Sequence, residues 1–352
     1  MGVFPWGVFP WLTRVAVGVA LLVVAGCAGV DTPVAWQDLK QWEHDDQAAA
    51  LATFMRSCGR FTDTLKLPPR AGSPAQWRAA CLSARTVPPG NAAAARRFFE
   101  NTFVPLPLGG GDSGLFTGYY ESSLRGSRTR HGPYTVPLYR LPTVAQGQTL
   151  PRSRIAAGAL AGKGLELLWV DDPVEAFFLE IQGSGRVEMD DGSVVSLGFA
   201  GKNGHSYVPI GRVLVEKGVA SAEEMNAPLI RQWLYSHPEE AQAVMNRNPS
   251  YVFFRQRPLE DGPRGAANVP LSAGRSLAVD PAYVPLGVPL WLDAGPDPLT
   301  GAAIRRLVVA QDTGGAIKGA VRGDLFWGHG DSAERAAGLM KARGRFYMLA
   351  PR

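Results

Sequence analysis

The stretch Val308-Val309-Ala310-Gln311-Asp312-Thr313-Gly314-Gly315-Ala316-Ile317-Lys318-Gly319 runs from an apolar, β-branched segment into an aspartate and then a glycine-broken loop. Such a run predicts a strand that delivers a carboxylate to a surface, with glycines letting the backbone turn just beyond it. Arg322-Gly323-Asp324-Leu325-Phe326-Trp327-Gly328 repeats the device, and Ser276-Leu277-Ala278-Val279-Asp280-Pro281 supplies an earlier instance. One aspartate beside glycine is ordinarily a turn residue. Three of them in the last quarter of a chain, two bracketed by glycine and apolar residues, form a candidate catalytic set.

Outward from this segment the texture stays β-like. Strands are expected at 288–292, 305–310 and 346–349, and upstream at 115–120, 134–139 and 176–181. Arg186-Val187-Glu188-Met189 and Val194-Val195-Ser196-Leu197 flank Asp190-Asp191-Gly192, a hairpin signal. Helical interruptions are expected at 208–217 and 222–235, a strand at 251–254, and a Pro/Gly-rich joint at 258–265. Towards the N-terminus the pattern becomes helical. Leu39, Trp42, Leu51, Phe54 and Met55 recur at helix-compatible spacing over 36–60, and a second helix is expected over 92–103, with a Pro/Gly-containing connector between them. Gly109-Gly110-Gly111 marks a boundary.

Composition agrees with a β-rich, turn-heavy chain. Of 352 residues, 41 are glycine and 28 proline, without a collagen period, while 46% hydrophobic and 19% charged residues exclude a disordered chain. The formal net charge of +5 is spread without any basic run, which argues against nucleic acid as partner. No G-x-S-x-G elbow occurs, since Gly204-His205-Ser206 lacks the closing glycine, and no P-loop or complete dinucleotide fingerprint follows Gly183-Ser184-Gly185. The five histidines are scattered without metal-ligand spacing, so neither a metal nor a cofactor is expected. Arg322-Gly323-Asp324 matches an adhesion tripeptide by chance.

The first residues address the compartment. Arg14 precedes a short apolar run that ends Val24-Ala25-Gly26-Cys27. The run is too short to span a bilayer comfortably and has the flanks of a secretory signal. Its ending resembles a bacterial lipobox, which would make Cys27 an acylated first residue and anchor the protein without spanning the membrane. Ala28 follows the cysteine, as in lipoproteins sorted to the outer membrane. The expected location is therefore the periplasm of a Gram-negative bacterium, at the inner leaflet of the outer membrane. Cys58 and Cys81 remain, either bridged in that oxidising compartment or two separate buried thiols.

Asp280, Asp312 and Asp324, with Asp312-Thr-Gly-Gly-Ala-Ile-Lys-Gly319, resemble the 3D domain, named for three aspartates. Leu115-Phe-Thr-Gly-Tyr-Tyr-Glu121, Phe178-Leu-Glu-Ile-Gln-Gly-Ser-Gly-Arg-Val187 and Ala200-Gly-Lys-Asn-Gly-His-Ser-Tyr207 resemble, in the same order, the segments joined to it in the membrane-bound lytic transglycosylase A family. The resemblance implies a mainly β fold with a helical N-terminal part. After a signal peptide at 1–26, residues 27–112 and 256–352 would form a discontinuous domain containing a double-psi β-barrel. Residues 113–255 would form an inserted second β-barrel across a groove.

The activity implied is cleavage of the β-1,4 bond between N-acetylmuramic acid and N-acetylglucosamine of peptidoglycan, leaving 1,6-anhydro ends, with glycan strands as partner and wall-synthesis or division proteins as further associates. One carboxyl serves as acid and then base, because the sugar's own 6-hydroxyl replaces water. Asp324 matches the family's catalytic position; Asp312 is the runner-up, read rather as a supporting group that orients the site through hydrogen bonds, and Asp280 is either part of the site or a turn acceptor before Pro281. Tyr119, Tyr120, Gln182, Gly183, Lys202, Asn203 and Lys318 are candidates for contacting sugar or stem peptide, or else framework. The family often has His-Phe before the aspartate; here Arg322-Gly323 stand there, and Arg322 is expected to point away or to touch substrate. The competing readings are an inverting endoglycosidase, a non-catalytic, expansin-like peptidoglycan-binding lipoprotein, and a scaffold lipoprotein for wall synthesis.

Overall fold

The computed structural model describes residues 32–259 and 262–352, and the expected anchor Cys27 lies outside the described residues. Helices open the described chain. Asp46 accepts a hydrogen bond from the Ala49 amide (3.1 Å) and starts α1 (Gln47–Arg56). Ser73 and Gln76 cap each other's backbone and Pro74 fills the first turn of α2 (Pro74–Ala84); Asn91 caps α3 (Ala92–Thr102). The pattern over 36–60 is thus interrupted: 3-10 turns at Trp36–Asp38 and Trp42–His44 precede α1, and another, Cys58–Arg60, follows it. The expected connector contains α2, because proline at the first helical position opens a helix instead of breaking it. A disulfide joins Cys58 to Cys81 and pins the turn after α1 to α2.

The remaining elements are β1 (Phe103–Pro107), β2 (Gly114–Ser127), β3 (Val136–Tyr139), α4 (Arg152–Ala156), β4 (Glu166–Val170), α5 (Pro173–Gln182), β5 (Ser184–Met189) and β6 (Val194–Lys202). They continue with α6 (Ile210–Glu216), α7 (Ala227–Ser236), α8 (Pro238–Met245), β7 (Val252–Arg257), β8 (Ser276–Val279), β9 (Pro289–Gly295), β10 (Ile304–Asp312), β11 (Arg322–His329), α9 (Asp331–Leu339) and β12 (Lys341–Pro351). The structure is sheet-rich with helices between strands. Pairing follows the path β1-β12-β9-β10-β8-β11-β2-β5-β6-β7, with β3 and β4 joined off it.

The stretch 176–181, expected as a strand, lies inside α5. Asp172 accepts from the amides of Val174 (2.8 Å) and Glu175 (3.1 Å), Pro173 takes the first position, and Gly183 ends the helix in the left-handed conformation. Val174 and the whole run from Ala176 to Glu180 are buried, so the helix carries no polar stripe. A short apolar run buried on all sides has no periodicity to separate helix from strand.

Strand β2 carries both halves of the β structure. Leu115 to Glu121 pair in parallel with β11, and Ser122 to Gly126 pair in parallel with β5. The first half rests on a core in which Phe54, Trp77 and Phe99 of the helices and Phe103 of β1 are continuous with Leu277, Leu290, Val308 and Phe346 of the later strands. The second half rests on another cluster, including Leu124, Leu168, Leu179, Val187 and Leu197. Buried Gln311 ties the helices to the strands: its Nε2 donates to Thr53 O (3.0 Å) and Ser57 Oγ (2.8 Å), and its Oε1 accepts from Ser276 Oγ (2.6 Å). An amide buried with its donors and acceptor satisfied fixes orientation better than apolar contact does.

Candidate active site

Strand periodicity and register assemble the site. Successive side chains of a strand alternate between faces, so Arg322, Asp324 and Phe326 share one face of β11. In the parallel register Leu115, Thr117 and Tyr119 of β2 stand opposite them in that order. On the other side of β11, Asp324 is aligned with Ala278 of β8, and Ala278 is aligned in turn with Asp312 at the end of β10. Two aspartates thus flank one small residue on adjacent strands. The structure brings together Asp324, Asp312 and Tyr119.

Asp324 Oδ1 accepts a 2.6 Å hydrogen bond from Thr117 Oγ1. Burial raises the Asp324 carboxyl from the ordinary 3.8 to about 6, against the lowering by Thr117 and then Arg322, with the Asp312 charge adding a small upward push. The group keeps partial solvent access, so it is a desolvated acid that solvent still reaches. Asp312 accepts from Tyr119 OH (3.0 Å) through Oδ2 and from the amides of Ala266 (2.8 Å) and Thr313 (2.9 Å) through Oδ1. Burial raises its pKa too, with those bonds opposing. Burial, together with the charges of Asp312 and Asp324, holds the Tyr119 phenol well above its usual range, so it remains a proton donor. Its ring packs on Phe326 at 5.2 Å between centroids. Gly265 makes the Ala266 contact possible: a Cβ there would lie 2.4 Å from Gln311 O and 3.0 Å from the Asp312 Cβ.

The other expected residues are placed as follows. Asp280 accepts from Gly319 N (2.9 Å) and Ala282 N (3.2 Å), and these bonds, Gly319 first, hold its carboxyl below the ordinary value. It anchors the far end of the loop that begins at Asp312. Lys318 is exposed beside it. Tyr120 falls on the opposite face of β2 from Tyr119, as alternation requires; it is buried, packs with Ala333 and Ala337, and its hydroxyl accepts from Arg231 (2.8 Å). Gln182 ends α5 and accepts from the Tyr120 amide (3.2 Å), with Gly183 as the helix stop. Asn203 is buried and bonded to Leu150 O (2.9 Å), Pro249 O (2.8 Å) and Tyr251 N (3.0 Å), a clamp on three backbone segments. Lys202 is exposed at the end of β6.

Arg322 does not point away. Sharing a face with Asp324, it lies across β11 and β2, donating to Thr117 Oγ1 (2.8 Å), Leu115 O (3.3 Å) and Gly323 O. Of the two expected poses, period-two geometry rules out the one turned out of the site. Thr117 itself was missed, although its spacing of two from Tyr119 puts it on the same face. Among the described residues no group of His, Cys, Asp or Glu converges as metal ligands would.

Two family models match the chain: the MltA specific insert domain over residues 115–255 and the 3D domain over 275–350. Membrane-bound lytic murein transglycosylase A of Escherichia coli (strain K12) is 38% identical over 243 residues, a match covering 66% of this chain and 65% of that protein. The match therefore spans just under two thirds of that relative's length. Among solved structures, a membrane-bound lytic murein transglycosylase from Agrobacterium tumefaciens superposes with a TM-score of 0.81 at 33% identity, covering 91% of this chain and 97% of that one. The lytic transglycosylase LtgG of Burkholderia pseudomallei gives 0.63 at 42% identity, covering 92% and 96%. E. coli MltA with bound chitohexaose gives 0.71 at 29%, covering 87% and 90%.

Proposed function

Because the chain belongs to the membrane-bound lytic murein transglycosylase A family, we propose that it cleaves the β-1,4 bond between N-acetylmuramic acid and N-acetylglucosamine of peptidoglycan with Asp324 as sole acid and base. The observation that carries this reading is the Asp324 carboxyl at about 6, with one oxygen held by Thr117 and the other bonded to no protein group among the described residues. A carboxyl at that value is protonated often enough to donate and basic enough to take a proton back. In the first half-reaction the bond from the muramoyl C1 to the glycosidic oxygen breaks, and that oxygen takes the Asp324 proton. In the second, the same sugar's 6-hydroxyl oxygen bonds to C1 and its proton passes to Asp324. No water is consumed and the acid is restored.

The alternative, an inverting endoglycosidase, needs a second carboxylate free to activate water. Asp312 is already engaged by Tyr119, Ala266 and Thr313, which suits an orienting anion better than a mobile base. A non-catalytic wall-binding protein has no use for an acid with a raised pKa. The bound chitohexaose of the E. coli relative supports a β-1,4 glycan as ligand. Tyr119 would line the sugar path, and Tyr120, Gln182 and Asn203 would hold its walls.

The same reading makes residues 27–112 and 256–352 one domain with a double-psi β-barrel and 113–255 an inserted barrel; two separate cores support two domains, although Phe116 packs in the first core and Leu115 to Glu121 pair with β11, so the change of core falls within β2, after Glu121. It also makes Cys27 a lipid anchor to the periplasmic face of the outer membrane. Mass analysis of products from purified sacculi tests the reaction. Fragments ending in 1,6-anhydromuramic acid support it, and reducing ends that carry an added water overturn it.

A further inference from the structure

The pair Arg322 and Thr117 has a directionality that the assignment of Asp324 as acid leaves unused. A guanidinium has donors only, whereas a threonine hydroxyl has one proton and two lone pairs. Arg322 Nη2 donates to Thr117 Oγ1 at 2.8 Å, so that oxygen is an acceptor on the arginine side. The positive charge behind it turns the hydroxyl proton the other way, towards Asp324 Oδ1 at 2.6 Å. Oδ1 is then an occupied acceptor in both states of the carboxyl. Among the described residues no protein group hydrogen-bonds Oδ2, and Arg322 acts on Asp324 by charge attraction without a direct hydrogen bond to it. The guanidinium is fixed in this pose by its bonds to Leu115 O (3.3 Å) and Gly323 O.

We propose that Arg322 is a positioning residue that, acting through Thr117, fixes the acid proton of Asp324 on Oδ2, the oxygen left free for substrate. The inference rests on the reading of Asp324 as the acid and goes beyond it by naming the oxygen and the device that selects it. The groups facing Asp324 are Arg322 and Phe326 from β11, Thr117 and Tyr119 from β2, uncharged Ala278 from β8, and Asp312 from β10. Arg322 is the only cation among them. Without the relay the Thr117 hydroxyl is free to accept from a proton on Oδ1, and the acid is divided between a productive and an idle form.

The test compares Arg322→Met, Thr117→Val, the double variant and Thr117→Ser. One readout is the Asp324 carboxyl titrated by carbon NMR, its signal identified by its loss in Asp324→Asn. The other is the pH profile of kcat and KM on purified glycan strands. Either removal is expected to raise the carboxyl midpoint and the alkaline limb of kcat together by roughly half a pH unit, since each group favours the anion. We expect kcat to fall by about 3- to 10-fold at constant KM, a small part of the roughly 10²–10⁴-fold that a positioned acid supplies. The double variant should be no worse than either single one, because the two groups act in series. Thr117→Ser, which keeps the hydroxyl, should return the limb to the parent's value. If Arg322→Met does not fold, Thr117→Val carries the test with the arginine strap intact.

A midpoint that stays put, or single losses that multiply in the double variant, overturns the relay. A midpoint that moves while the kcat limb does not overturns the assignment of Asp324 as the acid.

Discussion

Replacing Asp324 by asparagine should abolish glycan cleavage and at the same time make the protein more stable, and the size of that gain follows from the site. A carboxyl that ionises near 3.9 in the unfolded chain and at about 6 in the folded one favours folding when protonated and opposes it when charged. The penalty is absent below pH 4, grows as the pH rises through 4 to 6, and is complete above that window. A shift of about two pH units corresponds to about 3 kcal/mol. Partial solvent access to Asp324 reduces this, and about 1–2 kcal/mol is the working value. Asparagine keeps the shape and an acceptor for Thr117 while burying no charge. At roughly 2 cal/mol/K per residue over the described chain, the gain at pH 7.5 is about 2–3 °C in melting temperature. Calorimetry at pH 7.5 and pH 4.5, paired with release of soluble muropeptides from sacculi, measures both halves. A variant less stable than the parent at pH 7.5, or a gain of equal size at pH 4.5, would refute a charge-burial origin for the shift.

Three further outcomes are expected. Tyr119→Phe removes a hydrogen bond to the Asp312 anion worth about 1–2 kcal/mol, so the Asp312 midpoint should rise by roughly one pH unit, and an unmoved NMR titration would show that the bond does not hold the anion. Glu180→Gln should cost about 3–5 kcal/mol in urea unfolding, because Arg152, gripping Glu180 at 2.9 and 2.8 Å in a buried pair between α4 and α5, would be left an unmatched charge. A loss below 1 kcal/mol would mean that water reaches the pair. Replacing both Cys58 and Cys81 by alanine removes a link across 23 residues and should lower stability by about 3 kcal/mol, with an unchanged denaturant midpoint as the contrary result.

Local chemistry was enough to mark the strands that end in aspartates, the Asp190-Asp191-Gly192 hairpin and the helix over 92–102, because apolar alternation, turn residues and caps act over a few positions. It did not rank the three carboxylates; Asp324 came first through its match to the family's catalytic position. It did not identify α5, where an apolar run buried all round has no period to read. Nor did it find Thr117 as the partner of Asp324, although Thr117 and Tyr119 share a face by simple alternation. The parallel register that sets Thr117 against Asp324 joins segments some two hundred residues apart, and only folding selects it.

The split between Tyr119, bonded to Asp312, and Tyr120, locked to Arg231 on the other face, was implicit in the strand period, but which face held the two aspartates was not. The direction of Arg322 was a tertiary decision of the same kind. A carboxylate, Asp324, lies two positions along the chain, yet the arginine's hydrogen bonds go to a hydroxyl and two carbonyls. The sequence by itself determined which side chains were available and which strands would carry them. The tertiary structure decided their pairing and their desolvation, because register and burial depend on residues remote along the chain, and an aspartate becomes an acid poised near 6 only when those residues close around it.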